Sequence, residues 1–198
     1  NEHGMIAALL NRHTGATADP SRRSRGLLCL DALKYTSVAD ALDYVRSQSP
    51  QQYNPFNLLI ADRTAAYVLY AEDAGFEMVS LTPGFHLLTN RNLNDQQCPR
   101  IARSLRNFSQ VSHAISPDVD DIFTHLHPLL AHHAADLDPR ASVCIHLDGY
   151  GTCSSTLLAY ATAEERYKYA FAPGSPCRHT YSELLPPETF ANNPPSTT

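Results

Sequence analysis

The sequence predicts an α+β domain in which antiparallel strands and helices occupy separate stretches of the chain. Two observations support this prediction: runs with strand-like patterning occur in blocks, and runs with helical patterning lie between those blocks. The length of 198 residues is enough for a hydrophobic core. With 43% hydrophobic and 18% charged residues, the composition is that of an ordinary globular protein.

The first part of the chain predicts one strand followed by two helices. The opening letters NEHG read as a tight turn in which Gly4 supplies a positive φ, and the apolar run after them reads as a buried strand. Ser37 is the expected N-cap of the second helix, and Pro50 ends that helical pattern. The predicted elements are a strand at 5–10, a loop at 13–26, and helices at 27–35 and 36–48.

The remaining elements form two blocks of strands separated by helices. Turn residues separate short runs of aliphatic, aromatic and β-branched residues, which is typical of antiparallel meanders. Strands are predicted at 57–63, 65–71, 76–82 and 85–90, and again at 142–147, 151–160 and 167–172, with helices at 99–108 and 118–134. The polar, proline-rich segment 186–198 predicts a disordered tail after a single domain at 1–185.

Charge, hydropathy and cysteine usage narrow the class of protein. The net charge is −5 and the densest basic stretch is SRRSR at 21–25, which argues against a nucleic-acid partner. No apolar stretch is long enough for a transmembrane helix. The five cysteines are scattered and form no CxxC pair, which favours reduced thiols in a cytoplasmic protein.

An asparagine follows an apolar strand-like run at two places in the chain. Asn11 lies in LLNR and Asn90 lies in LLTNR. Asparagine is common where a strand ends in a turn, because it tolerates left-handed backbone and bonds locally. Alternatively, the two amide side chains converge on one point, where their NH₂ groups would stabilise a developing oxyanion. The residues alone leave both interpretations open.

A hydroxyl-rich segment follows two glycines near the end of the chain. Gly149 and Gly151 permit a sharp entry into a strand, and Thr152 and Ser154 lie at its start. The segment is either a polar turn before an edge strand or part of a cleft wall. The chain lacks the Gly-x-Ser-x-Gly pattern, so it gives no support for a serine hydrolase of that kind.

Histidines are concentrated in the last predicted helix. Imidazole is a common metal ligand, but the spacing here lacks the histidine pair with an intervening glutamate that marks a zinc-protease helix. A solvated or partly buried helix face is the favoured interpretation, and no metal site is predicted. The residues are His125, His127, His132 and His133.

Several strings occur together and in an order that resembles one known family. They are NEHGMIAALLNR, RSRGLLCLDAL, YNPFNLLIADR, HLLTNRNLNDQQCPRIARSL and GYGTCSSTLLAY, followed by YKYAFAPGSPCRHTYSEL. The chain is identified by these strings as similar to the NRDE family, also called transport and Golgi organization protein 2-like, from Asn1 to about Leu184. The resemblance implies a sandwich of two antiparallel sheets flanked by helices, similar to that of N-terminal-nucleophile hydrolases.

The resemblance also implies where the family's site residues fall. Members of the family open with Met-Cys-Thr and carry Asn-Arg-Asp-Glu further on, and this sequence contains neither string. The expectation is therefore a chain that lacks the first strands of the domain and the candidate nucleophile. By a more distant likeness to cholylglycine hydrolase-like enzymes, Asn11 and Asn90 match oxyanion or cleft positions. The candidate binding positions are Arg12, Arg25, Asn57, Asn94, Asp95, Arg100, Thr152 and Ser154.

Two functions follow from the resemblance. The first is trafficking or homeostasis of haem, lipid or acyl-CoA through a cleft between the sheets, with haem as cargo rather than as a resident cofactor. The second is hydrolysis of a linear amide by an N-terminal cysteine that this chain does not contain. Both imply a small-molecule ligand.

Overall fold

The chain is described here by a computed structural model that covers residues 1–112, 118–134, 138–161 and 166–184. It divides into two compact units, Asn1–Asp95 and Gln96–Thr198. The predicted tail at 186–198 lies outside the described residues. Helices and antiparallel sheets are both present, which confirms the α+β class. Among the residues that are described, no helix has the length and apolar character that crossing a membrane requires.

The first unit is built on a four-stranded antiparallel sheet with strand order β1-β2-β3-β4. Two helices lie between the first and second strands in the chain, as the helical patterns predict. The elements are β1 at Ile6–Asn11, α1 at Arg25–Ala32, α2 at Val38–Ser47, β2 at Phe56–Ala61, β3 at Ala66–Glu72 and β4 at Gly75–Ser80. The hydroxyl of Ser37 accepts a hydrogen bond from the amide of Asp40, which confirms the predicted N-cap.

The register of this sheet separates its two faces. Residues directly opposite each other in an antiparallel pair project to the same face, and successive residues alternate. Phe56, Leu58 and Ile60 therefore share one face, and all three are completely buried. They form the main core with residues of both helices, including Leu28 and Val45. The helices thus cover this face of the sheet, and the other face carries the polar residues described below.

The opening NEHG forms the predicted turn. Gly4 has a φ of 79°, and its amide donates to the carbonyl of Asn1 over 3.0 Å. The side chain of Asn1 also donates to the carbonyls of Leu33 and Tyr35, at 2.9 and 3.0 Å. Those carbonyls follow the last turn of α1, so Asn1 satisfies acceptors that a helix end leaves open.

Asp31 joins α1 to α2 and makes stability depend on pH. Its carboxylate accepts from Arg23, Lys34 and Tyr44, at 2.7, 2.6 and 3.2 Å. The hydrogen bond from Lys34 is the main reason that the pKa of Asp31 lies below the ordinary value of 3.8. A carboxylate whose pKa is lowered on folding stabilises the protein above the unfolded pKa, and that stability is lost as pH falls through the folded pKa.

We expect Asp31→Asn to flatten the loss of stability on acidification. Asp31 binds a proton more readily in the unfolded chain than in the folded protein, so protonation of Asp31 destabilises the parent chain in acid. The variant lacks this carboxylate, so its free energy of unfolding should fall less steeply below about pH 4. Urea unfolding at a series of pH values measures this slope. Asp43→Asn is the control, because Asp43 is an exposed carboxylate on α2 that pairs only distantly with Arg46, at 3.8 Å. If the free energy of unfolding of Asp31→Asn fell with pH as steeply as that of the parent chain, the role given to Asp31 would be contradicted.

The described residues of the second unit form two α-helices and two small sheets. A two-stranded sheet pairs β5 with β6, and a three-stranded antiparallel sheet has the order β7-β8-β9. The elements are α3 at Pro99–Ser112, α4 at Val119–Leu130, β5 at His146–Leu147, β6 at Tyr150–Gly151, β7 at Ser155–Ala161, β8 at Arg166–Ala172 and β9 at Ser182–Glu183. The strand predicted at 167–172 is therefore confirmed.

The predicted strand at 85–90 is wrong, because this segment is a loop. The amide of Leu87 donates to the side chain of Asn94, and the amide of Asn94 donates to the carbonyl of Leu87. Asn94 takes a left-handed φ of 54° to close this ring. Local bonds of this kind occupy groups that a strand would use in a ladder.

The predicted helix at 118–134 is shorter than expected, since α4 ends at Leu130. The carbonyl of His132 accepts from the amides of Val143 and Cys144, at 3.2 and 3.1 Å, so it turns toward a later segment. His132 and His133 therefore lie beyond the helix. The prediction that one helix carries all four histidines is therefore wrong for these two.

The predicted strands at 142–147 and 151–160 are also shorter than expected. The amides of Val143 and Cys144 donate to the carbonyl of His132, so within this run only His146–Leu147 pairs as a β-strand. Thr152 interrupts the second run, because its amide and hydroxyl both bond to Ile145. A short hairpin, β5–β6, takes the place of the longer pairing.

Candidate functional site

A group of polar side chains occupies the face of the first sheet opposite to the one that α1 and α2 cover. The group consists of Arg12, Asn57, Tyr70, Glu72 and Asn92 and is called the Arg12 cluster here. Leu10, Asn57 and Tyr70 stand opposite one another in the register. Arg12 and Glu72 each lie two residues further along the same face, and Asn92 belongs to the loop that follows β4.

Arg12 is the centre of this cluster. Its guanidinium donates to Glu72 over 2.5 Å, to Asn92 over 2.7 Å and to Asn57 over 3.2 Å. It also lies 4.8 Å from the centre of the Tyr70 ring, within the range of a cation–π contact. The planar fork of an arginine suits several acceptors at once, so Arg12 ties two strands to the loop.

Asn57 is the most deeply buried member of the cluster, with no solvent exposure. Its amide nitrogen donates to the carbonyls of Thr89 and Arg91, at 2.7 and 2.8 Å, while its oxygen accepts from Arg12. The hydroxyl of Tyr70 accepts from the amide of Leu93 over 2.9 Å. Strand residues therefore hold successive backbone groups of the loop, and the cluster's clearest chemical role is to fix that loop.

Asn11 and Asn90 lie on adjoining stretches of backbone. The amide of His13 donates to the carbonyl of Asn90 over 2.8 Å, so the end of β1 runs beside the loop. Both asparagine side chains are exposed. Asn11 stands opposite Phe56 in the register, so its side chain belongs to the helix-covered face and Arg12 to the other. Their roles as oxyanion or cleft residues remain predictions.

The other predicted positions are distributed over both units. Arg25 donates to the carbonyl of Pro55 over 2.9 Å, and burial lowers its pKa. Asp95 lies 3.9 Å from Arg91, and Arg100 donates to the carbonyl of Arg140 over 3.4 Å. Asn94 closes the loop after β4, Thr152 closes the base of the β5–β6 hairpin, and Ser154 is exposed before β7.

A groove in the first unit lies between α2 and the sheet. It has a volume of about 370 Å³, which is within the usual range for small-molecule sites. The start and one face of α2 form one side, and the β2–β3 turn with β4 forms the other. The lining residues used below are Val38, Leu42, Arg46, Asp62, Tyr67 and Met78.

A second group of side chains lies in the second unit and has the chemistry of metal ligands. His133, Cys144, His146 and Cys177 place one ligand atom each within 4.8 Å of all the others. These four residues are called the thiol–imidazole cluster here. Burial raises the pKa of the Cys144 thiol, and burial with nearby Arg178 lowers the pKa of His146.

The sequence model of the family Transport and Golgi organisation 2 matches residues 1–170 of this chain. The chain belongs to this family. No curated protein matches the chain. The part that matches the Transport and Golgi organisation 2 family includes the Arg12 cluster, the groove and three residues of the thiol–imidazole cluster. Cys177 lies beyond it.

Most of these contacts carry no signal in the sequence. Tyr70, Glu72 and Asn92 carry no recognisable motif, although the strict alternation along β3 places Tyr70 and Glu72 on one face. Cys144, His146 and Cys177 are not recognisable as ligands from the sequence, because no pair of them has the short cysteine spacing of common zinc motifs. Of the metal ligands considered, only His133 belongs to the cluster.

Proposed function

We propose that this protein carries haem or an acyl lipid, which it binds in the groove beside α2. The observation that supports this proposal best is the combination of an apolar wall and one exposed arginine, Arg46, in an open groove that Asp43 and Asp62 also line. Family membership supports a shared function with other Transport and Golgi organisation 2 proteins. The proposal includes action in the cytoplasm, where the five free cysteines would stay reduced.

The wall of the groove suits a flat or extended apolar ligand. Val38 and Leu42 lie one turn apart on α2, so both face the sheet. Met78 and Tyr67 lie on the helix-covered face of neighbouring strands, where they are diagonal neighbours in the register. Met78 is 44% exposed, so this wall of the groove is open to a ligand.

The charged residues of the groove differ between its two sides. Arg46, with a largely exposed side chain, would pair with the carboxylates of haem or the phosphates of acyl-CoA. Asp62 lies at the opposite side, in a turn closed by Thr64 and Ala65. Although burial raises its pKa, the hydrogen bonds from Thr64 and Ala65 lower it below the ordinary value. Met78 and Tyr67 are residue types that ligate haem iron.

A haem titration followed in the Soret region tests this proposal. We expect saturable binding that Met78→Ala weakens about tenfold, which corresponds to a loss of about 1.4 kcal/mol. Tyr150→Phe is a control for general effects, because Tyr150 is 67% exposed and lies in the second unit. A parallel titration with a fluorescent acyl-CoA identifies the lipid alternative, with Arg46→Gln as its test variant.

Three results would contradict the carrier proposal. The first is a failure of both haem and acyl-CoA to bind saturably. The second is haem binding that Met78→Ala leaves unchanged. The third is acyl-CoA binding, in the absence of haem binding, that Arg46→Gln leaves unchanged.

A second candidate function is hydrolysis of a linear amide on an αββα sandwich. The contact between His13 and Asn90 favours it, because it brings together the two segments that carry Asn11 and Asn90. The nucleophile would come from sequence that this chain does not include. In a protein that supplies it, Asn11→Ala should lower kcat by roughly 100- to 1,000-fold if this amide stabilises an oxyanion. Unchanged kcat would exclude that role for Asn11.

A further inference from the structure

We propose that the thiol–imidazole cluster is a structural zinc site. The proposal concerns only residues of the second unit and does not depend on the carrier function of the groove in the first. It assigns one zinc ion to four protein ligands, two thiolates and two neutral imidazoles, which is a common ligand set of structural zinc.

The distances between ligand atoms fit one tetrahedral ion. Zinc bonds of about 2.3 Å to sulfur and 2.0–2.1 Å to nitrogen give a tetrahedron with edges of roughly 3.3–3.8 Å. The two sulfur atoms are 3.6 Å apart, and Nε2 of His146 lies 3.7 Å from Cys144 and 3.1 Å from Cys177. The rings of His133 and His146 have centroids 5.2 Å apart. The three separations between sulfur and nitrogen atoms are close to the edges of that tetrahedron, and the ligand atom of His133 lies within 4.8 Å of the other three.

Backbone bonds hold the first two ligands in position. The amide of Cys144 donates to the carbonyl of His132, and the amide of Ala134 donates to the hydroxyl of Ser142. The two segments are therefore bonded to each other on both sides of His133 and through the amide of Cys144. Ala134, Ser142 and Cys144 are buried, so these bonds are shielded from water. Such support is what a preorganised metal site requires.

The β5–β6 hairpin positions His146. Thr152 closes its base, since its amide donates to the carbonyl of Ile145 and its hydroxyl accepts from the amide of the same residue. Gly149 makes the turn with a φ of 66°. A Cβ at Gly151 would lie 2.6 Å from the carbonyl oxygen of Ile145, so this close approach requires glycine. The glycines predicted to permit a sharp entry thus shape the hairpin that carries a ligand.

A tight turn presents Cys177 to the other three ligands. The amides of Arg178 and His179 both donate to the carbonyl of Ser175, at 2.9 and 3.1 Å. His127 of α4 contacts the carbonyl of Pro176 over 2.9 Å, which fastens the turn to the helix. The zinc ion would therefore join the segment that follows α4, the hairpin and this turn.

The ligand chemistry selects the metal. Two thiolates balance the charge of a divalent ion, and mixed sulfur and nitrogen ligands in tetrahedral positions favour zinc over magnesium, calcium or manganese. With all four positions supplied by the protein, none is left for a substrate, which is typical of structural sites. The alternative use of the same atoms is a disulfide between Cys144 and Cys177.

Metal analysis and cobalt substitution of the purified full chain, kept reduced with a phosphine, test the proposal. We expect about one zinc per chain. Cobalt(II) should give the visible bands of a tetrahedral site and a sulfur-to-cobalt charge-transfer band. Cys177→Ser should weaken zinc binding by more than the roughly 10- to 100-fold that loss of an outer-shell partner causes. Cys177 is exposed, so this change should leave the fold intact, as circular dichroism can verify. His133→Asn provides a second exposed ligand variant.

Two control variants test whether zinc binding is specific to the thiol–imidazole cluster. Cys153→Ser removes an exposed thiol that is not part of the cluster, and His125→Gln removes a histidine of α4, so neither should change zinc affinity. The proposal is overturned if the reduced chain binds zinc no better than Cys177→Ser does. It is equally overturned if either control lowers affinity as much as Cys177→Ser, or if Cys144 and Cys177 are found joined in a disulfide that persists under these conditions.

Discussion

Replacing Asn57 with leucine is expected to lower the free energy of unfolding of the first unit by about 3 kcal/mol. The change removes two hydrogen bonds to the carbonyls of Thr89 and Arg91 and the acceptor that Arg12 uses. Asn57 is fully buried, so water cannot take its place without opening the loop. Amide hydrogen exchange of β2, the strand that contains Asn57, measures this decrease in the free energy of unfolding.

Two further variants make the test specific. Asn92→Ala removes one exposed partner of Arg12 and should cost less than about 1 kcal/mol. Asn57→Asp keeps an acceptor for Arg12 but places a carboxylate against two carbonyl oxygens, so it should be as damaging as leucine at neutral pH. If Asn57→Leu were as mild as Asn92→Ala, the loop would not depend on the Arg12 cluster.

Phe56→Ala is expected to lower the free energy of unfolding of the same unit by about 3–5 kcal/mol. Phe56 has no solvent exposure and packs edge-on against Tyr53, with ring centroids 6.0 Å apart. Its ring also lies 6.4 Å from that of Phe76. Truncation leaves a cavity where sheet and helices meet, and the loss of buried apolar area adds to the cost of that cavity. Urea unfolding followed by far-ultraviolet circular dichroism measures it.

Phe85→Ala is the matched control for this core substitution. Phe85 is 49% exposed and lies in the loop after β4, so its loss should change stability by no more than about 0.5 kcal/mol. Equal effects of the two substitutions would contradict the assignment of the core to the helix-covered face.

The elements of the first sheet were predictable because their signals are local. Phe56–Ala61, Ala66–Glu72 and Gly75–Ser80 all fall within or beside predicted strands, and α2 begins after the predicted cap at Ser37. Hydrophobic periodicity and capping depend on neighbours in sequence, so one chain suffices to detect them. The loop at 85–90 was missed because a side chain, Asn94, provides the bonds that replace the ladder.

The candidate sites depend on contacts between residues far apart in the chain. Arg12 and Asn57 are both named by the family resemblance, but only the register of β1 with β2 places them on one face. Glu72 and Asn92 become their partners through the same register and through the loop. The thiol–imidazole cluster joins three segments whose spacing in sequence matches no common motif, so tertiary structure alone brings its ligands together.

The most direct test of the carrier account is to locate a bound ligand by NMR. The amide spectrum of the chain would be recorded during titration with gallium protoporphyrin, a diamagnetic analogue of haem, and in parallel with an acyl-CoA. The expected result is saturable shifts that are largest in α2 and in Asp62, Thr64, Ala65 and Tyr67, which line the groove. Largest shifts around His146 and Cys177, or no saturable shift with either ligand, would contradict it.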